Sequence, residues 1–173
     1  MSDTSIHRYA LAIGSNRALS ARRTPARLID EATALIGKHM RVLGRAPVIS
    51  TPPIGPSTRI FSNSAMLVET PLPPPALLAL LQDIERRLGR RRHRRWGARS
   101  MDIDIILWSG GCWNSRMLTI PHPAYRQRDF VLRPLSTIVP AWRDPHTTLA
   151  VRQIQAHLKK PRKRLTRTDA PIR

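Results

Sequence analysis

Asp102 and Asp104 stand two residues apart in the run Met101-Asp102-Ile103-Asp104-Ile105-Ile106-Leu107. On a strand, side chains i and i+2 share a face, so this spacing sets two carboxylates side by side. Like charges that close are unfavourable unless something neutralises them. Mg²⁺ ions bound jointly by carboxylate and phosphate oxygens would do so. The preceding stretch, Arg86 to Arg99, holds eight arginines and no acid, and guanidinium groups grip phosphates through paired N–H donors. Together these residue types point to a metal–phosphate site. The plainer alternative is a solvated Asp pair on an edge strand with arginine as counter-charge. The sequence contains neither G-x-x-x-x-G-K-[ST] nor G-x-G-x-x-G, so any phosphates would be held by side chains and metals.

The formal charge of +19 is uneven: Arg86–Arg99 carries +8 and Lys159–Arg173 carries +6, leaving +5 for the remainder. Such clusters suit polyanions, either nucleotide phosphates or nucleic acid. A nucleic-acid-binding module is the rival reading. Against it stand an aromatic share of 5%, the lack of a zinc-finger or RRM pattern, and the Asp pair, which would repel phosphates without metal. The tail, short of apolar residues, reads as a flexible basic extension. An apolar share of 41% over 173 residues supports one domain, residues 1–158, with the tail at 159–173. The one cysteine, Cys112, fits a reducing cytoplasm. No apolar run is long enough to span a bilayer, and the first residues lack signal-peptide character. A monomer without membrane attachment is expected.

The elements that must position the Asp pair follow from periodicity. Tyr9–Ile13 predicts a strand ending at Gly14-Ser15-Asn16. Thr24-Pro25 reads as N-cap and first residue of a helix, with Leu28, Ala32, Leu35 and Ile36 as its stripe and Gly37 as its stop. Residues 40–50 read as one strand. Thr51-Pro52-Pro53-Ile54-Gly55-Pro56 is a stiff loop, either a connector or one wall of a small-molecule pocket. Phe61 to Glu69 predicts a strand with Phe61 and Asn63 on one face, where an aromatic and an amide could stack on and hydrogen-bond a heterocycle. A core Phe beside a turn-satisfying Asn is the plainer alternative. A second helix opens at Pro73-Pro74-Pro75, buries Leu77, Leu81, Ile84 and Leu88, and ends at Gly89. Gln82 and Glu85 read as lying off that stripe, either as surface residues or facing whatever the arginine loop holds. Met101–Leu107 is the next strand, 116–121 a short further one, and residues 149–158 a last helix. A βα unit followed by strands argues for an α/β sandwich.

Five segments then coincide, in order, with one family: Ala12-Ile13-Gly14-Ser15-Asn16, Thr51–Pro56, Phe61-Ser62-Asn63, Arg95-Trp96-Gly97-Ala98-Arg99-Ser100-Met101-Asp102-Ile103-Asp104-Ile105, and Pro121-His122-Pro123 with Arg128–Leu132. Across roughly residues 8 to 145 the chain resembles 6-hydroxymethyl-7,8-dihydropterin pyrophosphokinase. The resemblance implies an α+β, ferredoxin-like βαββαβ sandwich with mobile catalytic loops. It implies an ATP-dependent diphosphotransferase of folate biosynthesis, which moves the β,γ-diphosphate of ATP to the pterin hydroxymethyl group and releases AMP. By the same resemblance, Asp102 and Asp104 hold two Mg²⁺ ions. Arg92 and Arg99 act with them in catalysis. Gln82, Glu85, Arg90, Arg92, Trp96, Arg99, Leu118, Thr119, His122 and Arg128 contact ATP. Thr51, Pro52, Ile54, Phe61, Asn63, Trp96 and Phe130 hold the pterin. There are departures. Ala98 stands where the family usually has proline, Phe61 where tyrosine is also common, and Met117 where an arginine can contact ATP. The loop between Gly89 and Trp96 is one residue short. A paralogue that binds pterin or ATP without turnover is a third reading.

Overall fold

Alternation along the first strand sorts its residues onto two faces. Tyr9, Leu11 and Ile13 enter one apolar cluster while Ala10 and Ala12 enter another, as the two-residue period of a strand requires. The structure is a computed structural model and describes residues 5–52, 59–90 and 100–159. Its elements are β1 (His7–Ser15), α1 (Pro25–Gly37), β2 (Arg41–Arg45), β3 (Ile49–Thr51), β4 (Phe61–Thr70), α2 (Pro74–Arg87), β5 (Asp102–Trp108), β6 (Trp113–Asn114), β7 (Thr119–Ile120), a 3₁₀ turn (Tyr125–Gln127), α3 (Asp129–Ile138) and α4 (Val151–Lys159). The main sheet runs β2-β4-β1-β5, with β3 also pairing β4. All these pairings are antiparallel. The chain is thus a mixed α/β fold on an antiparallel sheet.

The helices form where capping and stripe residues coincide. The Thr24 hydroxyl accepts the Arg27 N–H at 3.4 Å, Pro25 opens α1, and Leu28, Ile29, Ala32 and Ile36 are buried. α2 closes at Gly89, whose φ of +82° lets the Arg90 N–H reach the Glu85 carbonyl at 3.0 Å, a glycine-type helix stop. These two helices seal the face of Tyr9, Leu11, Ile13, Met66 and Val68. On the other face α3 and α4 pack against Ala10, Ala12, Ala65 and Ile106. They add a further layer to the sandwich expected from the sequence.

Three expectations need correction, and one element is new. The predicted strand at 40–50 is two strands, β2 and β3. Pro47 between them has no N–H to donate, and the pairing also slips between Val42 and Gly44. The strand predicted at 116–121 is instead the hairpin β6–β7, turned by reciprocal backbone bonds between Ser115 and Leu118. Residues 129–138, left unassigned in the sequence, form α3 although Pro134 lies inside it. Glu85 is neither a surface residue nor off the stripe: it is 3% exposed, four positions after Leu81. α4 ends at Lys159, and the tail from residue 160 lies outside the described residues.

Candidate active site

The register of the sheet assembles a row of side chains across three strands. Gly14 pairs with Asn63 of β4 on one side and Asp102 of β5 on the other. One step along, Ala12 lies between Ala65 and Asp104. The small residues of β1 leave a trough flanked by an amide and two carboxylates. Two strand spacings, about 9–10 Å, separate Asn63 from Asp102. Space is tight there, because a Cβ on Gly14 would come within 3.2 Å of Asn63 Oδ1.

α3 roofs this trough and leaves a cleft of about 680 Å³. Thr51, Pro52, Phe61, Asn63 and Phe130 line one part of it, and Asp102, Asp104, His122 and Arg128 another. Asn63 is held in place by donating Nδ2–H to Thr51 Oγ1 at 2.8 Å. Arg128 stacks over the Phe130 ring at 5.8 Å, a cation–π contact. A second cleft of about 310 Å³ lies beside β5 and the β6–β7 hairpin, lined by Leu118, Thr119, Asp104 and His122 among others. The two clefts meet at Asp104 and His122.

The electrostatics centre on β5. Asp102 and Asp104 side chains are 29% and 35% exposed, so both are reachable from the clefts. Arg90 bridges two acids: its Nη1 lies 3.0 Å from Asp102 Oδ1 and pairs closely with Glu85. Glu85 in turn accepts the Ile103 N–H at 2.7 Å, fixing the backbone between the two aspartates. Burial pushes the Glu85 carboxyl above its ordinary value, against the Ile103 N–H and the Arg90 charge. His122 Nδ1 accepts the Ala124 N–H at 3.2 Å, so its ring hydrogen sits on Nε2, 3.9 Å from Asp104 Oδ2. The backbone N–H of His122 is tied to the Ile106 carbonyl at 3.0 Å, where the β1–β5 pairing shifts register. The Asp pair fits a hard divalent cation: it offers two partly exposed oxygen-donor groups on one face of a rigid strand.

Residues 10–140 match the family model of 7,8-dihydro-6-hydroxymethylpterin-pyrophosphokinase (HPPK). The chain belongs to this family. It is 36% identical over 141 residues to the 2-amino-4-hydroxy-6-hydroxymethyldihydropteridine pyrophosphokinase of Pseudomonas aeruginosa, covering 81% of this chain and 85% of that protein. Its identity to the Methylorubrum extorquens protein of the same name is 39% over 120 residues, 64% of this chain and 76% of that one. The fold matches the HPPK-DHPS wild type of Plasmodium falciparum with SDX-DHP at a TM-score of 0.70 and 14% identity, over 88% of this chain. The match spans 44% of that longer chain.

Set against the positions carried over from the HPPK resemblance, the structure gathers Thr51, Pro52, Phe61, Asn63, Phe130, Asp102, Asp104, His122 and Arg128 on the larger cleft and Leu118 and Thr119 on the smaller. Gln82 is exposed on α2, and neither it nor Glu85 lines either cleft. Ile54, Arg92, Trp96 and Arg99 lie outside the described residues. The sequence reading missed Asp129 and Arg133, which also line the larger cleft. Asp129 Oδ1 is buried without a hydrogen-bond partner among the described residues. Both stand on α3 at a spacing of four, which puts them on one helix face. They became legible only once α3 was seen to be a helix.

Proposed function

We propose that this chain transfers the β,γ-diphosphate of ATP to the hydroxymethyl group of 6-hydroxymethyl-7,8-dihydropterin, releasing AMP. One observation carries the assignment of sites: two clefts of different character meet at Asp104 and His122. The larger takes the pterin, between Phe61 and Phe130, with the Asn63 amide reading the polar edge of its ring and Thr51, Pro52 and Ile54 at its side. The smaller takes the nucleotide, against Leu118 and Thr119. Gln82 and Glu85 keep their place in this reading as helix residues near that nucleotide. Pterin hydroxyl and ATP phosphates then face each other across Asp102 and Asp104.

Transfer of this kind depends on positioning and charge neutralisation more than on a covalent nucleophile. Arg128 and His122 supply phosphate contacts from the segment leading to α3. With Nδ1 taken by the Ala124 N–H, His122 Nε2 can donate to phosphate oxygen, and an Asp carboxylate can accept the hydroxyl proton. Arg90 is assigned to the phosphate side in this reading, as are Arg92, Arg99 and Trp96, which lie outside the described residues. Two Mg²⁺ ions held by Asp102 and Asp104 would supply charge neutralisation for the triphosphate when bound.

The strand order β2-β4-β1-β5 supports reading the core as a ferredoxin-like βαββαβ sandwich. The catalyst is read as a monomer, and the exposed thiol of Cys112 suits a reducing cytoplasm. Among the described residues no helix is long and apolar enough to cross a membrane. The test is to supply ATP, Mg²⁺ and hydroxymethyl-dihydropterin and follow AMP. Pterin-dependent AMP release is expected; folded protein that binds both substrates and releases none would overturn the reading in favour of a non-catalytic binder.

A further inference from the structure

Outside the two clefts, the most completely bonded charged group among the described residues is Asp144, which is 0% exposed. Its Oδ1 accepts the backbone N–H groups of His146 and Thr147 at 2.7 and 3.0 Å. Its Oδ2 accepts the Tyr125 hydroxyl in a short hydrogen bond and Arg126 Nε at 2.6 Å. The Arg126 guanidinium also lies over the Tyr125 ring at 5.0 Å. Burial by itself would raise the Asp144 carboxyl, but the Tyr125 hydroxyl, the two backbone donors and the Arg126 charge together hold it below its ordinary value. The group is therefore an anion, fixed in place by four donors.

That anion pins a residue whose backbone is bonded on both sides to the phosphate-facing segment. The Tyr125 N–H donates to the His122 carbonyl at 3.2 Å, and the Tyr125 carbonyl accepts the Arg128 N–H at 3.2 Å. The Arg128 carbonyl then takes the N–H groups of Val131 and Leu132 at 3.0 and 2.9 Å, starting α3 and setting Phe130. We propose that Tyr125, locked by Asp144, is a positioning residue that fixes the separation of His122 from Arg128 and so tunes nucleotide binding from outside either cleft. The proposal rests on the assignment of His122 and Arg128 to the phosphates.

The side chain of Tyr125 is fully buried and touches neither substrate site, so its effect must travel through the backbone of 122–128. Displacements well under a bond length at such positions are costly, because a misplacement of about 1 Å weakens a catalytic geometry by roughly a hundredfold. Removal of the hydroxyl alone allows a smaller shift. Tyr125→Phe keeps the ring and its packing but cuts its tie to Asp144, which keeps its other three donors. Asp144→Asn keeps an oxygen for the His146 and Thr147 donors but removes the charge. As a control, Leu28→Ala trims the apolar cluster on the opposite face of the sheet, apart from the cluster that holds Tyr125.

Calorimetric titration of each folded variant with Mg·ATP, and separately with the pterin, decides between positioning and mere stability. Tyr125→Phe and Asp144→Asn should each weaken Mg·ATP binding by about tenfold and pterin binding less, by about threefold, because Phe130 follows Arg128 at the start of α3. The double variant should lose little more than either single one, as expected for one shared device. Leu28→Ala should lower the melting temperature and leave both affinities as they were. The proposal is overturned if the Tyr125 and Asp144 variants bind Mg·ATP as the unmodified chain does, or if the two affinities fall in parallel. Either result is distinct from a failure of the diphosphate-transfer reading, which AMP release by the unmodified chain tests separately.

Discussion

The two faces of the sheet are built from the same strands and do opposite work. Toward α1 and α2, β1 presents Tyr9, Leu11 and Ile13 and β5 presents Ile103 and Ile105, all buried at 4% exposure or less. Toward α3, the intervening residues are Ala10, Ala12 and Gly14 on β1 and Asp102 and Asp104 on β5. Large side chains close the first face, and small ones leave the second open. The difference shows how a two-residue period lets one rigid element serve as core and as site floor. Both β5 carboxylates on the open face are braced by apolar neighbours i±1, Met101, Ile103 and Ile105, that are packed on the closed one.

This division predicts that stability and activity can be damaged separately. The largest effect is expected from Asp102→Ala, which should lower turnover by about a thousandfold with the melting temperature nearly unchanged, since the side chain is part exposed. A large loss of melting temperature instead would place Asp102 on the structural side of the division. The converse is Leu28→Ala, beneath α1, which should cost about 2–5 kcal/mol in denaturant unfolding while the protein that remains folded turns over normally. Gly14→Ala should act more weakly and on one substrate: the added Cβ crowds Asn63 Oδ1, raising the pterin KM several-fold and leaving that of ATP alone. Equal changes in both KM values would mean that the floor does not distinguish the two clefts.

The smallest effect concerns acid. The Asp144 carboxyl is held below its ordinary value of 3.8. A depressed folded-state pKa contributes stability that is fully present above the unfolded value and is lost as pH falls through the folded one. Thermal unfolding followed downward from pH 5 should therefore show the unmodified chain losing stability below about pH 3.8 more steeply than Asp144→Asn. Parallel curves would remove Asp144 from the anchoring of the α3–α4 layer.

How much of this was legible in the sequence follows from the same two faces. β1, α1, α2 and β5 announce themselves, because Thr24-Pro25, the Leu77–Leu88 stripe and the alternating isoleucines of β5 satisfy local rules strongly. Asp102 and Asp104 could be placed on one face from spacing alone. α3 was not legible, because Pro134 breaks the expected pattern although Val131, Leu132 and Leu135 are buried on one side of it. With α3 missed, Asp129 and Arg133 were missed too. Glu85 reads from the sequence as lying off the helix stripe, yet it is buried on it. Its partner, the Ile103 N–H on the outer edge of β5, is supplied by tertiary packing that no local pattern reports. The pairing of Asn63 with Asp102 across Gly14 is likewise a matter of register, fixed only when three strands meet.

The central claim is that the Asp pair on the open face neutralises the phosphates that are transferred. The direct measurement is AMP released from ATP in the presence of Mg²⁺ and hydroxymethyl-dihydropterin, by the unmodified chain and by Asp104→Ala, at matched melting temperatures. The account predicts pterin-dependent AMP from the first and a loss of about a thousandfold in the second. Near-normal AMP release by folded Asp104→Ala would contradict it.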